Sequence, residues 1–117
     1  MILRRSMWVL TAAILLLSTA HLGIAAMSAR AEWSLPVLWF VGSGLALLLA
    51  GLLNIVALLS SAERAAVRGA WLLGNASMAG FFLFAWSLLK EPQVVVGLVA
   101  FALLAIGAGL TRAKPQA

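Results

Sequence analysis

The sequence predicts an all-α integral membrane protein whose four transmembrane helices form an up-down-up-down bundle. Of its 117 residues, 65% are hydrophobic and 9% are charged, and the mean hydropathy is +1.14. Soluble domains are about half apolar and a quarter charged, so this chain has too little polar surface to cover a water-facing globule. Four long apolar runs without charges, separated by short polar segments, account for the composition.

Each apolar run is long enough to be a transmembrane helix. A hydrocarbon core about 30 Å thick requires about 20 helical residues, and inside it the backbone must satisfy its own hydrogen bonds, which favours helix. The predicted spans, which together form a single domain over residues 1–117, are residues 6–27, 36–59, 66–89 and 92–110.

The distribution of basic residues predicts that both termini are cytoplasmic. Cytoplasmic loops of membrane proteins are enriched in Lys and Arg. The side of the termini is predicted to hold Arg4, Arg5, Arg64, Arg68, Arg112 and Lys114, and the opposite side Arg30 and Lys90. We therefore expect a multi-pass protein of a bacterial-type inner membrane, in which the net charge of +5 sets orientation in the lipid bilayer and does not indicate a nucleic-acid partner.

His21 is the only histidine and, apart from Arg68 at the start of the third predicted span, the only ionisable residue within a predicted span. Such a residue is a functional hypothesis by default: it could relay a proton, bind an anionic or quinone-like headgroup, or ligate haem across a dimer. The structural alternative is a neutral imidazole that hydrogen-bonds a neighbouring helix. Thr11, Ser18 and Ser28 share its face of the helix, since the four positions are spaced by 7, 3 and 7 residues.

Aromatic residues near the predicted outer side suggest where a ligand would bind. Phe81, Phe82, Phe84 and Trp86 lie at about the depth of His21 and could line a pocket together with Trp39. The alternative is packing and interfacial anchoring, which we also expect for Trp8, Trp33 and Trp71. The hypothetical ligand-binding set is His21, Ser18, Ser43, Trp39 and Trp86.

Asn54 and Asn75 are predicted to form a polar packing layer. If the second and third helices cross the membrane in opposite directions, both amides fall in its cytoplasmic third, with Thr11 at a similar depth. Amides at one level on adjacent helices commonly hydrogen-bond each other and fix helix register. A substrate or ion site is the alternative.

Small residues at four-residue spacing predict close helix packing, within one bundle or across a homodimer. On the second helix we expect the stripe to face a neighbouring helix and Leu47 to face lipid. The stripes are Gly42, Ala46, Ala50 and Asn54; Ala76 and Gly80; and Ala105 and Gly109.

Signals of enzymatic chemistry are missing, and we expect no catalytic residue, metal site or cofactor. The chain has no cysteine, and its three carboxylates, Glu32, Glu63 and Glu91, fall in predicted loops. One histidine without cysteine provides too few ligands for a metal site within one chain.

The favoured hypothesis is a non-enzymatic accessory or scaffold subunit that packs with itself or with a membrane-protein partner. In length and number of spans the chain is similar to the small multidrug resistance transporters, which act as dimers of four-helix subunits, although its first helix lacks their membrane glutamate. A small dimeric transporter or channel, with His21, Asn54 and Asn75 lining a path, is the second hypothesis. A haem- or quinone-binding module centred on His21 is the third.

Overall fold

The computed structural model describes residues 1–60 and 65–111, and four α-helices make up nearly all of this part of the chain. Each helix is long and apolar enough to span a membrane, which confirms the prediction of four helices of transmembrane length and hydropathy. The helices are α1 (Ile2–Ala31), α2 (Leu35–Leu59), α3 (Ala65–Leu88) and α4 (Pro92–Leu110). The predicted topological signals at Arg64, Arg112 and Lys114, and the predicted loop carboxylate Glu63, lie outside the described residues.

The first helix is longer than the sequence predicts. With 30 residues it extends over about 45 Å, well beyond an apolar layer of about 30 Å. Its additional turns contain the charged residues Arg4, Arg5 and Arg30. A helix can extend beyond the apolar layer into water, so charge limits the membrane-embedded part of α1 and not the helix itself.

The helices pack in a ring of neighbours. The most extensive contacts join α1 to α2 and α3 to α4, smaller ones join α1 to α4 and α2 to α3, and the diagonal pairs do not pack together. The bundle therefore consists of two helix pairs, α1–α2 and α3–α4, that meet along two narrower seams.

The buried positions follow a repeat that alternates between three and four residues. This average spacing of 3.5 residues is the pattern of helices that cross at a shallow left-handed angle. The buried series on α1 includes Met7, Thr11, Ile14 and Ser18, and on α2 it includes Gly44, Leu47, Gly51, Asn54 and Leu58. On α4 it includes Val94, Gly97, Phe101, Leu104 and Ala108.

Glycines in these series bring the helices close together. A Cβ atom on Gly44 would lie 2.8 Å from Leu22 Cδ2, and one on Gly107 would lie 2.6 Å from Met7 Cε. Such close approach lets backbones make the van der Waals contacts that hold helices together in lipid, where no hydrophobic force acts between them.

The small-residue stripe on α2 lies only partly inside the bundle, and the expectation that Leu47 faces lipid is wrong. Gly42 and Ala46 are exposed, whereas Leu47, which we expected to face lipid, is only 1% exposed. Steps of four residues rotate by about 40° each on a helix of 3.6 residues per turn. The stripe therefore winds from the outer surface at Gly42 to the core at Asn54. The 3-4 repeat through Gly44 and Gly51 stays on one face.

In each helix pair an arginine of one helix bonds the end of the other helix. Both arginines lie at the same end of the bundle, which we call the arginine end. Arg4 Nη2 donates to the carbonyl oxygen of Leu58 at 2.8 Å, and Arg68 Nη2 donates to that of Gly109 at 2.8 Å. Both acceptors lie in the last turn of a helix, where carbonyls lack partners within the helix and the helix dipole favours a positive charge. In each pair the first turn of one helix thus caps the last turn of the other.

We predict that Gly97→Ala destabilises the protein by about 1–3 kcal/mol, the usual cost of overpacking. The new methyl group would collide with the ring of Phe82, which cannot easily move because it stacks on Phe101 at 5.7 Å. Reversible unfolding in mixed micelles measures the effect. Gly42→Ala is the matched control, because nothing lies within 4 Å of its Cβ position, and it should be neutral or slightly stabilising. Equal effects of the two substitutions would refute the packing described here.

Candidate functional site

The two predicted asparagines form a closed pair between α2 and α3. Asn54 Nδ2 donates to Asn75 Oδ1 at 3.0 Å, and Asn75 Nδ2 donates to Asn54 Oδ1 at 3.0 Å. The second N–H of each amide is also used: Asn54 donates to the carbonyl of Ala50 and Asn75 to that of Trp71, both at 2.8 Å. All four amide hydrogens therefore have partners.

Trp71 completes this cluster, which we call the asparagine clasp (Asn54, Trp71 and Asn75). Its Nε1–H donates to Asn54 Oδ1 at 2.6 Å. We expected Trp71 to be an interfacial anchor, but it is 1% exposed, so that expectation is wrong. A buried indole N–H needs an acceptor, and Asn54 provides one. The sequence signal for this role was the spacing between Trp71 and Asn75, which places both on one face of α3.

Thr11 is buried at its position on α1 but has a different hydrogen-bond partner. Its hydroxyl donates to the carbonyl of Met7, one turn earlier on the same helix, at 2.8 Å. The predicted polar layer thus consists of the two asparagines and Trp71, with Thr11 satisfied by its own helix.

Ser18 joins α1 to α2. Its hydroxyl is buried and donates to the carbonyl oxygen of Gly44 at 2.8 Å. That carbonyl is within reach because Gly44 has no side chain and α1 packs directly against it. Ser18 is therefore occupied in holding the helix pair and has no free donor for a ligand.

His21 lies one turn further along α1 and is half-buried. Its Nδ1 is 3.0 Å from the carbonyl oxygen of Leu17, and its ring stacks on Phe40 of α2, with centroids 4.6 Å apart and planes inclined by 19°. The hydrogen bond to Leu17 and the stacking on Phe40 together fix the position of the imidazole ring.

A groove runs between α1 and α2 beside this stacked pair. Its volume is about 250 Å³, and its walls consist of Ile24, Ala25, Ser28, Pro36, Val37 and Phe40. Ile24, Ala25 and Ser28 follow His21 at intervals of three, four and seven residues, so they continue its face of the helix. His21 itself does not line the groove; the two are linked through Phe40, which forms part of the groove wall and stacks on the His21 ring.

The other predicted ligand-binding residues do not join this groove. The Ser43 hydroxyl donates to the carbonyl of Phe40 on its own helix at 2.9 Å, and Trp39 is 71% exposed. Trp86 lies under Lys90, whose Nζ is 4.6 Å from the ring centroid. It belongs to α3, which does not pack against α1, so the structure does not bring Trp86 to His21.

Within residues 1–60 and 65–111, no group of three or more His, Asp or Glu side chains is arranged to hold a metal ion. Glu32 is exposed at the end of α1, and Glu91 is exposed just before α4. Carboxylates at these positions are separated from the buried asparagine clasp.

No protein-family model matches this chain, and no curated protein or solved structure is significantly similar to it. Its four long apolar helices are consistent with a small membrane protein.

We predict that Asn54→Leu destabilises the bundle more than Asn75→Leu. The first substitution removes the acceptor of both Trp71 and Asn75, whereas the second leaves the bond between Trp71 and Asn54 in place. Leaving buried donors unpaired costs about 1–3 kcal/mol, so we expect Asn54→Leu to fall in that range in mixed-micelle unfolding.

Thr19→Val is the matched control for the asparagine variants, because the Thr19 hydroxyl is exposed and bonds only its own helix. It should change the free energy of unfolding by less than about 0.5 kcal/mol. A larger loss for Asn75→Leu than for Asn54→Leu would contradict the hydrogen-bond assignment in the clasp.

Proposed function

We propose that this protein is a non-enzymatic scaffold or accessory subunit of a cell membrane, which packs against a second membrane protein or a second copy of itself. One observation carries the proposal: in the described part of the chain, no buried side-chain nitrogen or oxygen lacks a hydrogen-bond partner. Polar groups of a transport path or catalytic centre must exchange partners with a substrate. Those of this interior are already hydrogen-bonded within the bundle, either to one another or to backbone carbonyls.

The asparagine clasp supports this proposal over a transporter or channel. Asn54 and Asn75 were the candidates for lining a path, and each uses both amide hydrogens within the bundle. To bind an ion or a substrate they would have to break these bonds in a site from which water is excluded. The geometry is that of a contact that fixes the register of α2 against α3.

The outer surface of the bundle supports a role in packing. Gly42 and Ala46 on α2 and Ala76 on α3 are exposed, and nothing lies within 4 Å of a Cβ atom placed on Gly42 or Gly80. Small residues on an outward face permit a further helix to approach closely.

Ser77 adds a polar group to this surface on α3. It is exposed near the middle of the helix, and its hydroxyl donates to no group in residues 1–60 and 65–111, unlike those of Ser6, Thr19 and Ser87. A hydroxyl facing lipid gains a hydrogen bond when a partner helix covers it. We infer that the face containing Ala76, Ser77 and Gly80 is where a partner packs.

Cysteine cross-linking tests this contact without background, because the chain has no cysteine. We predict that Ser77→Cys, treated in native membranes with a short bifunctional thiol reagent, forms a covalent adduct. A product of twice the chain mass identifies a second copy, and any other defined mass identifies a different partner. Leu52→Cys is the control, since Leu52 is 45% exposed on α2 and its neighbours at four-residue spacing, Leu48 and Val56, are large. If the thiol reagent labels both cysteine variants equally and neither variant forms a covalent adduct with a second chain, the scaffold proposal is refuted.

The proposed topology is up-down-up-down with both termini cytoplasmic. The contacts between α1 and α2 support it, because the residue numbers on α2 fall as those on α1 rise, which makes the two helices antiparallel. The contacts are Arg4 with Leu58, Ser18 with Gly44 and His21 with Phe40. The excess of basic residues on the side of the termini supports the orientation.

Reporter fusions test the topology. We predict cytoplasmic signals for reporters placed after residue 117 and within residues 61–68, and external signals for reporters within residues 30–33 and 90–91. The physical reason is the cost of moving clustered arginines across the membrane. A single reversed signal would show that one of the four helices does not span.

A further inference from the structure

We propose that His21 and the groove beside it form a binding site for a membrane-soluble molecule with a neutral, ring-sized headgroup that donates a hydrogen bond, such as a phenol or hydroquinone. This site goes beyond the scaffold role and does not rest on it. Its elements are the imidazole of His21, the Phe40 ring on which it stacks and the groove between α1 and α2.

The hydrogen bond to Leu17 determines the tautomer of the His21 ring. A carbonyl oxygen only accepts, so the 3.0 Å contact with Nδ1 requires the proton to be on Nδ1. A doubly protonated ring would make the same contact, so our proposal takes the ring in its neutral form, in which the other nitrogen is an acceptor. Nε2 therefore presents a lone pair, and the hydrogen bond of Nδ1 fixes the ring orientation, as in imidazoles that bind ligands through the second nitrogen.

Nε2 remains available to a ligand. No group in residues 1–60 and 65–111 hydrogen-bonds it, and it is not among buried atoms left without a partner, so it is accessible from outside the bundle. On an apolar surface such an acceptor gains from a hydroxyl donor, whereas a carboxylate or phosphate oxygen would offer it no hydrogen. The ligand must therefore donate.

The groove defines the rest of the ligand. Its walls carry no charge, and Ser28 has the only polar side chain among them, which favours a neutral apolar body. A volume of about 250 Å³ is slightly below that of typical drug-sized pockets, about 300–1,000 Å³. It accommodates one substituted aromatic ring and is too small for the macrocycle of haem. Since the groove is open between two apolar helices, a tail attached to the ring can extend into the bilayer.

Nitrogen NMR tests the proposal directly, because ¹⁵N-histidine labelling reports on one residue. The protein is placed in phosphatidylcholine nanodiscs, since this headgroup has no hydrogen-bond donor. Without a probe, the spectrum should show the Nδ1–H tautomer. Trimethylhydroquinone should then shift the Nε2 resonance saturably. Its dimethyl ether, which has nearly the same shape but no donor, should bind about tenfold more weakly or less.

Three variants distinguish the contribution of the Nε2 lone pair to binding from that of the groove. Binding of trimethylhydroquinone is measured by calorimetry. His21→Phe keeps a ring that can stack on Phe40 but lacks Nε2, and it should weaken binding about tenfold. Val37→Trp adds bulk to the groove wall and should also weaken binding. Leu16→Phe adds a ring at an exposed position on α1 and should leave it unchanged.

Several results would overturn the assignment. These are the Nε2–H tautomer in the protein without a probe, an Nε2 resonance that saturating trimethylhydroquinone does not move, and equal affinity for the hydroquinone and its ether. Visible absorbance of the protein purified from native membranes would also overturn it, in favour of haem. The ether comparison uses the unaltered chain, so it stands even if His21→Phe fails to fold. None of these results depends on whether Ser77→Cys forms an adduct.

Discussion

In a hydrocarbon layer there is no water to hydrogen-bond a polar group, so a polar group without a partner in the protein costs free energy. This constraint explains where nearly every polar side chain of the bundle lies. Thr11 is satisfied by its own helix and Ser18 by the neighbouring helix. The asparagine clasp is satisfied within itself. The hydrogen bonds between helices form only at one register of the two helices, so the same bonds satisfy the polar groups and fix the fold.

Packing in this bundle depends on shape, because lipid tails are as apolar as the helices they surround. Glycines at the seams allow close approach, and in each case a large side chain from the facing helix fills the space: Leu22 at Gly44, Phe82 at Gly97 and Met7 at Gly107. The arginine end adds charge-assisted contacts from Arg4 and Arg68 to helix ends. The two helix pairs share this device, although their side-chain packing differs.

The interior and the surface therefore suggest different roles. The interior is closed, with its donors and acceptors used, which favours a structural function. Two surface groups matter for these roles: the hydroxyl of Ser77 on α3 and Nε2 of His21 beside the groove between α1 and α2. Neither has a hydrogen-bond partner within the described residues. Ser77 suits contact with another helix, because it lies on an outward helix face with small neighbours. Nε2 of His21 suits a small amphiphile, because it lies beside a cavity of limited volume.

The sequence by itself determined the number of helices and their approximate bounds, since span length and backbone hydrogen bonding in lipid leave few alternatives. It also singled out the residues of the asparagine pair and the unusual His21. Only the tertiary structure decided which faces meet. The four-residue stripe from Gly42 winds around α2 by about 40° per step, so its outer half faces away from the bundle and Leu47 takes the core position. The spacing of Trp71 and Asn75 places both on one face of α3, but tryptophans near helix ends are usually interfacial. Only the position of Asn54 in the structure supplies the acceptor that allows Trp71 to be buried. The groove beside His21 likewise depends on the position of Phe40 on α2, which spacing along α1 does not fix.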